Sequence, residues 1–91
     1  MKRIARHVRI LGKVQGVAYR AWTKSFADSE GITGWVRNEV DGSVAALLCG
    51  AEEPVERLLS AMWEGPGAAA VREVQVSHAM ENVTSGFEIL H

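Results

Sequence analysis

A single cysteine, Cys49, excludes an intrachain disulfide, so this 91-residue chain must fold without covalent staples. Cys49 lies in the apolar run VAALLCG, where a buried inert thiol is expected rather than a nucleophile or ligand. No apolar stretch is long enough to span a membrane. The N-terminal MKRIARHVRILGK carries arginines among its apolar residues, unlike a secretion signal. A cytoplasmic protein with no membrane partner is expected, and the NVT triplet at Asn82 then has no meaning as a glycosylation acceptor. The sequence also lacks a Ser-His-Asp or Cys-His block, a CxxC or HxxEH-type metal motif, and an acidic cluster suited to magnesium. His7, His78 and His91 stand too far apart to suggest ligands and read as surface or packing residues. Repeats, linkers and low-complexity runs are missing, so residues 1–91 read as one domain.

Acid is missing from the first twenty residues, which hold six Lys or Arg: Lys2, Arg3, Arg6, Arg9, Lys13 and Arg20. The rest of the chain carries four bases and eleven acids, which brings the net charge to −1. Such a basic opening either steers small anions or forms a solvated strand face. What the chain has in quantity is apolar sequence, 47% of it, including three tryptophans, enough for one modest core.

The apolar pattern sets the element order. RHVRIL alternates as a half-buried strand, with Val8 and Ile10 on one face and His7 and Arg9 on the other. From Arg20 to about Ser29 a helix is expected, its stripe made by Tyr19, Trp22 and Phe26 and its end set by Gly31. ITGWVRN and SVAALLCG read as a hairpin with Asp41-Gly42 at the tip. AEEPVERLLSAMWEG is a second helix, buried through Val55, Leu58, Leu59 and Met62 and packed also by Trp63, with Gly65-Pro66-Gly67 as its stop. AAVREVQVSHAM is a fourth strand, and GFEIL suits a short fifth. The order β-α-β-β-α-β predicts an α+β, ferredoxin-like sandwich: an antiparallel sheet of order 4-1-3-2 with both helices on one face. Strands 1 and 2 then end at the same edge, about two strand spacings or roughly 10 Å apart.

At that edge stands GKVQGVAYR, residues 12–20. It is not a Walker phosphate loop, because Gly12 and Gly16 enclose three residues and Val17 follows. A loop that leaves a strand, bends at a permissive glycine and enters a helix can aim several free N–H groups at an oxyanion. Arg20 could then close its planar fork on the same anion. An ordinary turn with a surface arginine fits the residues equally. Asn38, at the end of GWVRN, either faces this loop or simply opens the turn. Strand alternation sends Arg37 to the opposite face.

Taken together, GKVQGVAYR, GITGWVRN, DGSV, Gly65-Pro66 and the closing FEI resemble the acylphosphatase family, in that order and over nearly the whole chain. The resemblance implies a single acylphosphatase-like domain, 1–91, that hydrolyses the carboxyl-phosphate bond of small acyl phosphates without metal or cofactor. It places the phosphate cradle on the backbone of Gln15, Gly16, Val17, Ala18, Tyr19 and Arg20, the catalytic arginine on Arg20 and the water-positioning asparagine on Asn38. Ala18 and Tyr19 depart from the family's commoner Gly or Phe and Phe, without removing a reacting group.

Rival readings make different demands. An RNA-recognition domain needs stacking aromatics on its central strands, and neither RHVRIL nor SVAALLCG has one. The sequence pI near 6.3 also argues against nucleic acid. A non-catalytic module binding a small anion or regulatory ligand at a dimer interface would suit the apolar third strand. The acylphosphatase-like module of a hydrogenase-maturation carbamoyltransferase would need further chain after the domain. A free-standing, monomeric enzyme is the expectation.

Overall fold

The computed structural model describes residues 2–91. It orders them as β1 (Arg3–Lys13), α1 (Tyr19–Glu30), β2 (Thr33–Asn38), β3 (Val44–Ala51), α2 (Glu52–Met62), β4 (Ala70–His78) and β5 (Phe87–Leu90). The ferredoxin-like α+β arrangement is present, and GFEIL does form the fifth strand. The sheet runs β4-β1-β3-β2-β5, which extends the expected 4-1-3-2 order at the β2 edge. One expectation is corrected. The sheet is mixed rather than antiparallel throughout, because β5 pairs parallel with β2 from Gly34–Phe87 to Arg37–Leu90.

Residues 79–86 are the reason. They leave β4 at one edge and travel to the other across the end where β2 begins. The Ala79 N–H donates to the Ala5 carbonyl at 3.2 Å, the Thr33 hydroxyl to Val83 at 2.5 Å and the Gly34 N–H to Gly86 at 3.0 Å. A chain arriving at that end can only run alongside β2 in the same direction.

Alternation along β1 sends Val8 and Ile10 into the core beneath the helices, with Val36, Val44, Ala46 and Leu48 from the neighbouring strands. From α2 the buried stripe is Val55, Leu58 and Met62 as expected, with Leu59 at its margin. Two helical expectations shift. In α1 the fully buried line is Tyr19, Thr23 and Ala27, while Trp22 and Phe26 flank the core, half-buried. After Tyr19 the line continues through two small residues, Thr23 and Ala27, and the larger rings of Trp22 and Phe26 sit at its margin. Trp63 is 52% exposed, because it follows Met62 directly and one residue of helix turns it about 100° away from the stripe.

The opposite face of the sheet carries two cross-strand rows. Trp35, Leu47, His7 and Ser77 make one, and Arg37, Ala45, Arg9 and Gln75 the other. Leu47 and Cys49 point to this face yet are fully buried. Trp35 and His7 flank Leu47, and the Glu81 carbonyl lies 3.9 Å from the Cys49 sulfur. The apolar third strand is thus covered by its own chain.

Candidate active site

The ends of β1 and β2 meet the entrance to α1 at one edge of the sheet. The register sets Ile10, Val44 and Asn38 in one row, so β2 ends level with Ile10, shortly before the end of β1 at Lys13, with β3 between them. Val36 is buried towards the helices, and alternation brings Asn38 to the same side.

Between β1 and α1 the chain makes two left-handed residues, Gly16 at φ 73° and Ala18 at φ 64°. Gly16 takes this conformation without steric cost, whereas Ala18 is the one non-glycine with positive φ among the described residues. Alternating hands of this kind turn successive N–H groups towards one side and form a nest for an anion. Among the described residues, no backbone N–H from Gln15 to Ala21 donates to a protein acceptor. The first intrahelical bond is from Trp22 to Ala18, at 3.0 Å. Helix α1 also has no acidic residue in its first turn and no side-chain cap, whereas α2 has Glu52 and Glu53 there. Its positive end is left uncompensated by the protein.

Arg20, one residue into α1, is half-buried and makes no hydrogen bond or ion pair among the described residues. On the open sheet face, by contrast, Arg9 and Arg37 each have a carboxylate. Arg9 pairs with Asp41, and the Arg37 Nε donates to Glu39 at 2.9 Å. Arg37 also stacks on Trp35, 4.6 Å from the ring centroid, on the face expected from alternation. That face holds a trough of about 620 Å³, but its charges are already satisfied. A smaller cavity of about 220 Å³ is the one that Arg20 lines. Gly16, Ala18, Tyr19, Arg20, Asn38, Ile89 and His91 are among the residues that line it.

The structure therefore brings Gly16, Ala18, Tyr19, Arg20 and Asn38 to one cavity. Gln15 and Val17 flank it: the Val17 side chain packs on the core, and the Gln15 side chain turns into the β2–β3 turn. His91, read from sequence as an ordinary surface or packing histidine, stands on the cavity wall with Ile89. The parallel register that pairs Val36 with Ile89 carries the chain end to the level of Asn38. The sequence offered only GFEIL as a short fifth strand, without its direction.

Tyr19 explains one departure from the motif. Its ring is buried and its hydroxyl donates to the Met62 carbonyl at 2.7 Å, a partner that phenylalanine could not use. Burial pushes the phenol well above its ordinary pKa, so it remains a donor.

The acylphosphatase family model matches residues 6–89. An acylphosphatase from Sinorhizobium medicae is 46% identical over 84 residues, covering 90% of this chain and 88% of that protein. One from Pelotomaculum thermopropionicum is 44% identical over 90 residues, 98% of each chain. Among solved structures, an acylphosphatase from Coxiella burnetii superposes with a TM-score of 0.92 at 34% identity, covering 97% of this chain and 93% of that one. With a family match across nearly the whole length and relatives this similar, the chain belongs to the acylphosphatase family.

Proposed function

We propose that the protein hydrolyses the carboxyl-phosphate bond of acyl phosphates, releasing a carboxylate and inorganic phosphate. The observation that carries this reading is that Arg20, without an ion pair among the described residues, lines one small cavity with Asn38 and with a loop whose backbone N–H groups are free. The backbone from Gln15 to Arg20 and the Arg20 fork hold the phosphoryl oxygens and stabilise the charge spread over them in the transition state. Asn38 holds a water in line with the departing carboxylate, which is a positioning effect. The leaving group is the conjugate base of an acid with pKa about 4, so no protein acid is called for. A phosphoryl oxygen of the substrate accepts the proton of the attacking water.

The same reading makes the protein a monomeric cytoplasmic enzyme that takes neither metal nor cofactor and has no nucleic-acid or membrane partner. Its small net charge supports the last point, since phosphate-backbone binding draws on a basic surface. The described helices include none long and apolar enough to cross a membrane.

Benzoyl phosphate hydrolysis, followed with chelator present, tests the proposal. Turnover by the native protein and its loss in Arg20→Gln are expected, together with loss of phosphate inhibition. A folded native protein that binds phosphate without turning over benzoyl phosphate would make the cradle part of a binding module instead.

A further inference from the structure

The two halves of the cavity belong to different parts of the chain. The cradle continues β1 and Asn38 ends β2, with β3 between them. One side chain bridges the gap. The Gln15 Nε2 donates both its protons, one to the Glu39 carbonyl at 2.8 Å and one to the Ser43 carbonyl at 2.9 Å. Glu39 follows Asn38 directly, and Gln15 opens the cradle beside Gly16. A single amide therefore connects the first residue of the anion nest to the peptide next to Asn38.

The two acceptors are the carbonyls that close the β2–β3 turn. Ser43 O already accepts the Glu39 N–H at 2.8 Å, and Glu39 O the Gly42 N–H at 3.2 Å. Gln15 fills the second acceptor site on each. Ser43 is buried and Gln15 half-buried, so water competes poorly for these carbonyls. The Gln15 side chain does not line the cavity. It acts on the strand end that carries Asn38.

We infer that Gln15 is a positioning residue for the hydrolytic step. Its amide fixes the separation between the phosphate cradle and Asn38, and so the placing of the attacking water relative to phosphorus. The inference rests on the proposed roles of Arg20 and Asn38. It separates two quantities: phosphate binding depends on the backbone of residues 15–20, which a side-chain change at Gln15 leaves in place, while turnover depends on the distance the amide sets.

The test is a steady-state comparison of Gln15→Leu, Asn38→Ala and their double variant with benzoyl phosphate, using inorganic phosphate as a competitive inhibitor. Gln15→Met, unbranched and of matching length, replaces the leucine variant if that one fails to fold. In the single Gln15 variant kcat should fall by more than about fivefold while the phosphate inhibition constant moves by less than about threefold, as expected when only the water's placing is lost. The double variant should be no slower than Asn38→Ala, because there is no asparagine left to position. A merely structural role would multiply the two losses. A smaller fall in kcat, multiplied losses, or failure of both Gln15 variants to fold would each overturn the inference. Near-native turnover by Asn38→Ala would instead remove the underlying reading of the site.

Discussion

The Tyr19 hydroxyl and the Met62 carbonyl, 2.7 Å apart, join the first residue of α1 to the last residue of α2. The cradle runs directly into Tyr19, so this bond anchors the loop's exit against the second helix. The approach is close. A Cβ at Gly65 would lie 2.6 Å from the Tyr19 ring, and Gly65 has φ 65°, so a side chain there is excluded twice. Tyr19→Phe keeps the ring and leaves the Met62 carbonyl without this donor. It should cost about 1 kcal/mol of stability, read as a lower urea midpoint with unchanged slope.

Tyr19 is the chain's only tyrosine, so its ionisation can be followed alone by ultraviolet absorbance. Burial raises its pKa in the folded state. The phenol's contribution to stability is therefore complete below the unfolded value of about 10 and is lost as the pH rises beyond it. Tyrosinate absorbance should appear only together with unfolding, tracked by far-ultraviolet circular dichroism. Tyrosinate forming in a folded protein near pH 10 would contradict the burial argument.

Ala18 sits in the left-handed region without a hydrogen-bonding side chain to help it, a conformation that costs an alanine roughly 1–2 kcal/mol. Ala18→Gly removes that strain but gives the unfolded chain more freedom, about 0.4–1 kcal/mol in the opposite direction. Stability should therefore change by between about 0 and 1.6 kcal/mol in favour of the glycine, the difference of those two contributions. Ala18→Val, β-branched at positive φ, should destabilise by about 2 kcal/mol and weaken phosphate binding as the nest distorts. Thermal melts and phosphate titration by calorimetry read both effects.

Much of the architecture is legible in the sequence because alternation and helical stripes report directly which side faces the core. Val8 with Ile10, and Val55 with Leu58 and Met62, are instances. The errors have a common origin in what hydrophobicity does not encode. Thr23 and Ala27 are buried because α1 lies close to the sheet, and no apolar pattern ranks them above Trp22 and Phe26. The parallel pairing of β5 depends on the route of residues 79–86, which is fixed by hydrogen bonds to Ala5, Thr33 and Gly34. At the site, the glycine loop and Asn38 announce themselves by residue type and motif. The target of the Gln15 amide, 24 and 28 residues ahead in the chain, and the arrival of His91 on the cavity wall are tertiary facts with no local signature.

Asp41 gives the fold an acid-sensitive element at the hairpin tip. Its carboxyl is lowered to about 2, first by the Ser43 hydroxyl and N–H and then by Arg9. A depressed carboxylate stabilises fully above its unfolded pKa of about 4, and that contribution is lost as the pH falls towards 2. Asp41→Asn should be less stable than the native protein at pH 7, and the difference should shrink across this window. Glu81, also lowered by backbone N–H bonding and by His7, retains its own share of the acid response in both proteins. Urea midpoints at pH 7, 4 and 2.5 measure the trend; a pH-independent gap would remove Asp41 from the account.

Asn38 allows the proposed roles of cradle and water site to be separated by charge. Asn38→Ala removes the amide and leaves Arg20 and the nest intact, so kcat should fall by about tenfold or more with little change in phosphate inhibition. Asn38→Asp is nearly isosteric but places a carboxylate in the same cavity as the unpaired Arg20. Above the ordinary carboxylate pKa of about 4, that group pairs with the guanidinium and repels the substrate's anionic oxygens, so phosphate affinity should fall along with kcat. Because pairing with the guanidinium also holds the new carboxylate below its ordinary pKa of about 4, phosphate affinity in Asn38→Asp should stay low down to about pH 4 and recover only below it. Identical inhibition constants for the two variants at pH 7 would mean that Asn38 does not share a cavity with the bound phosphate in solution.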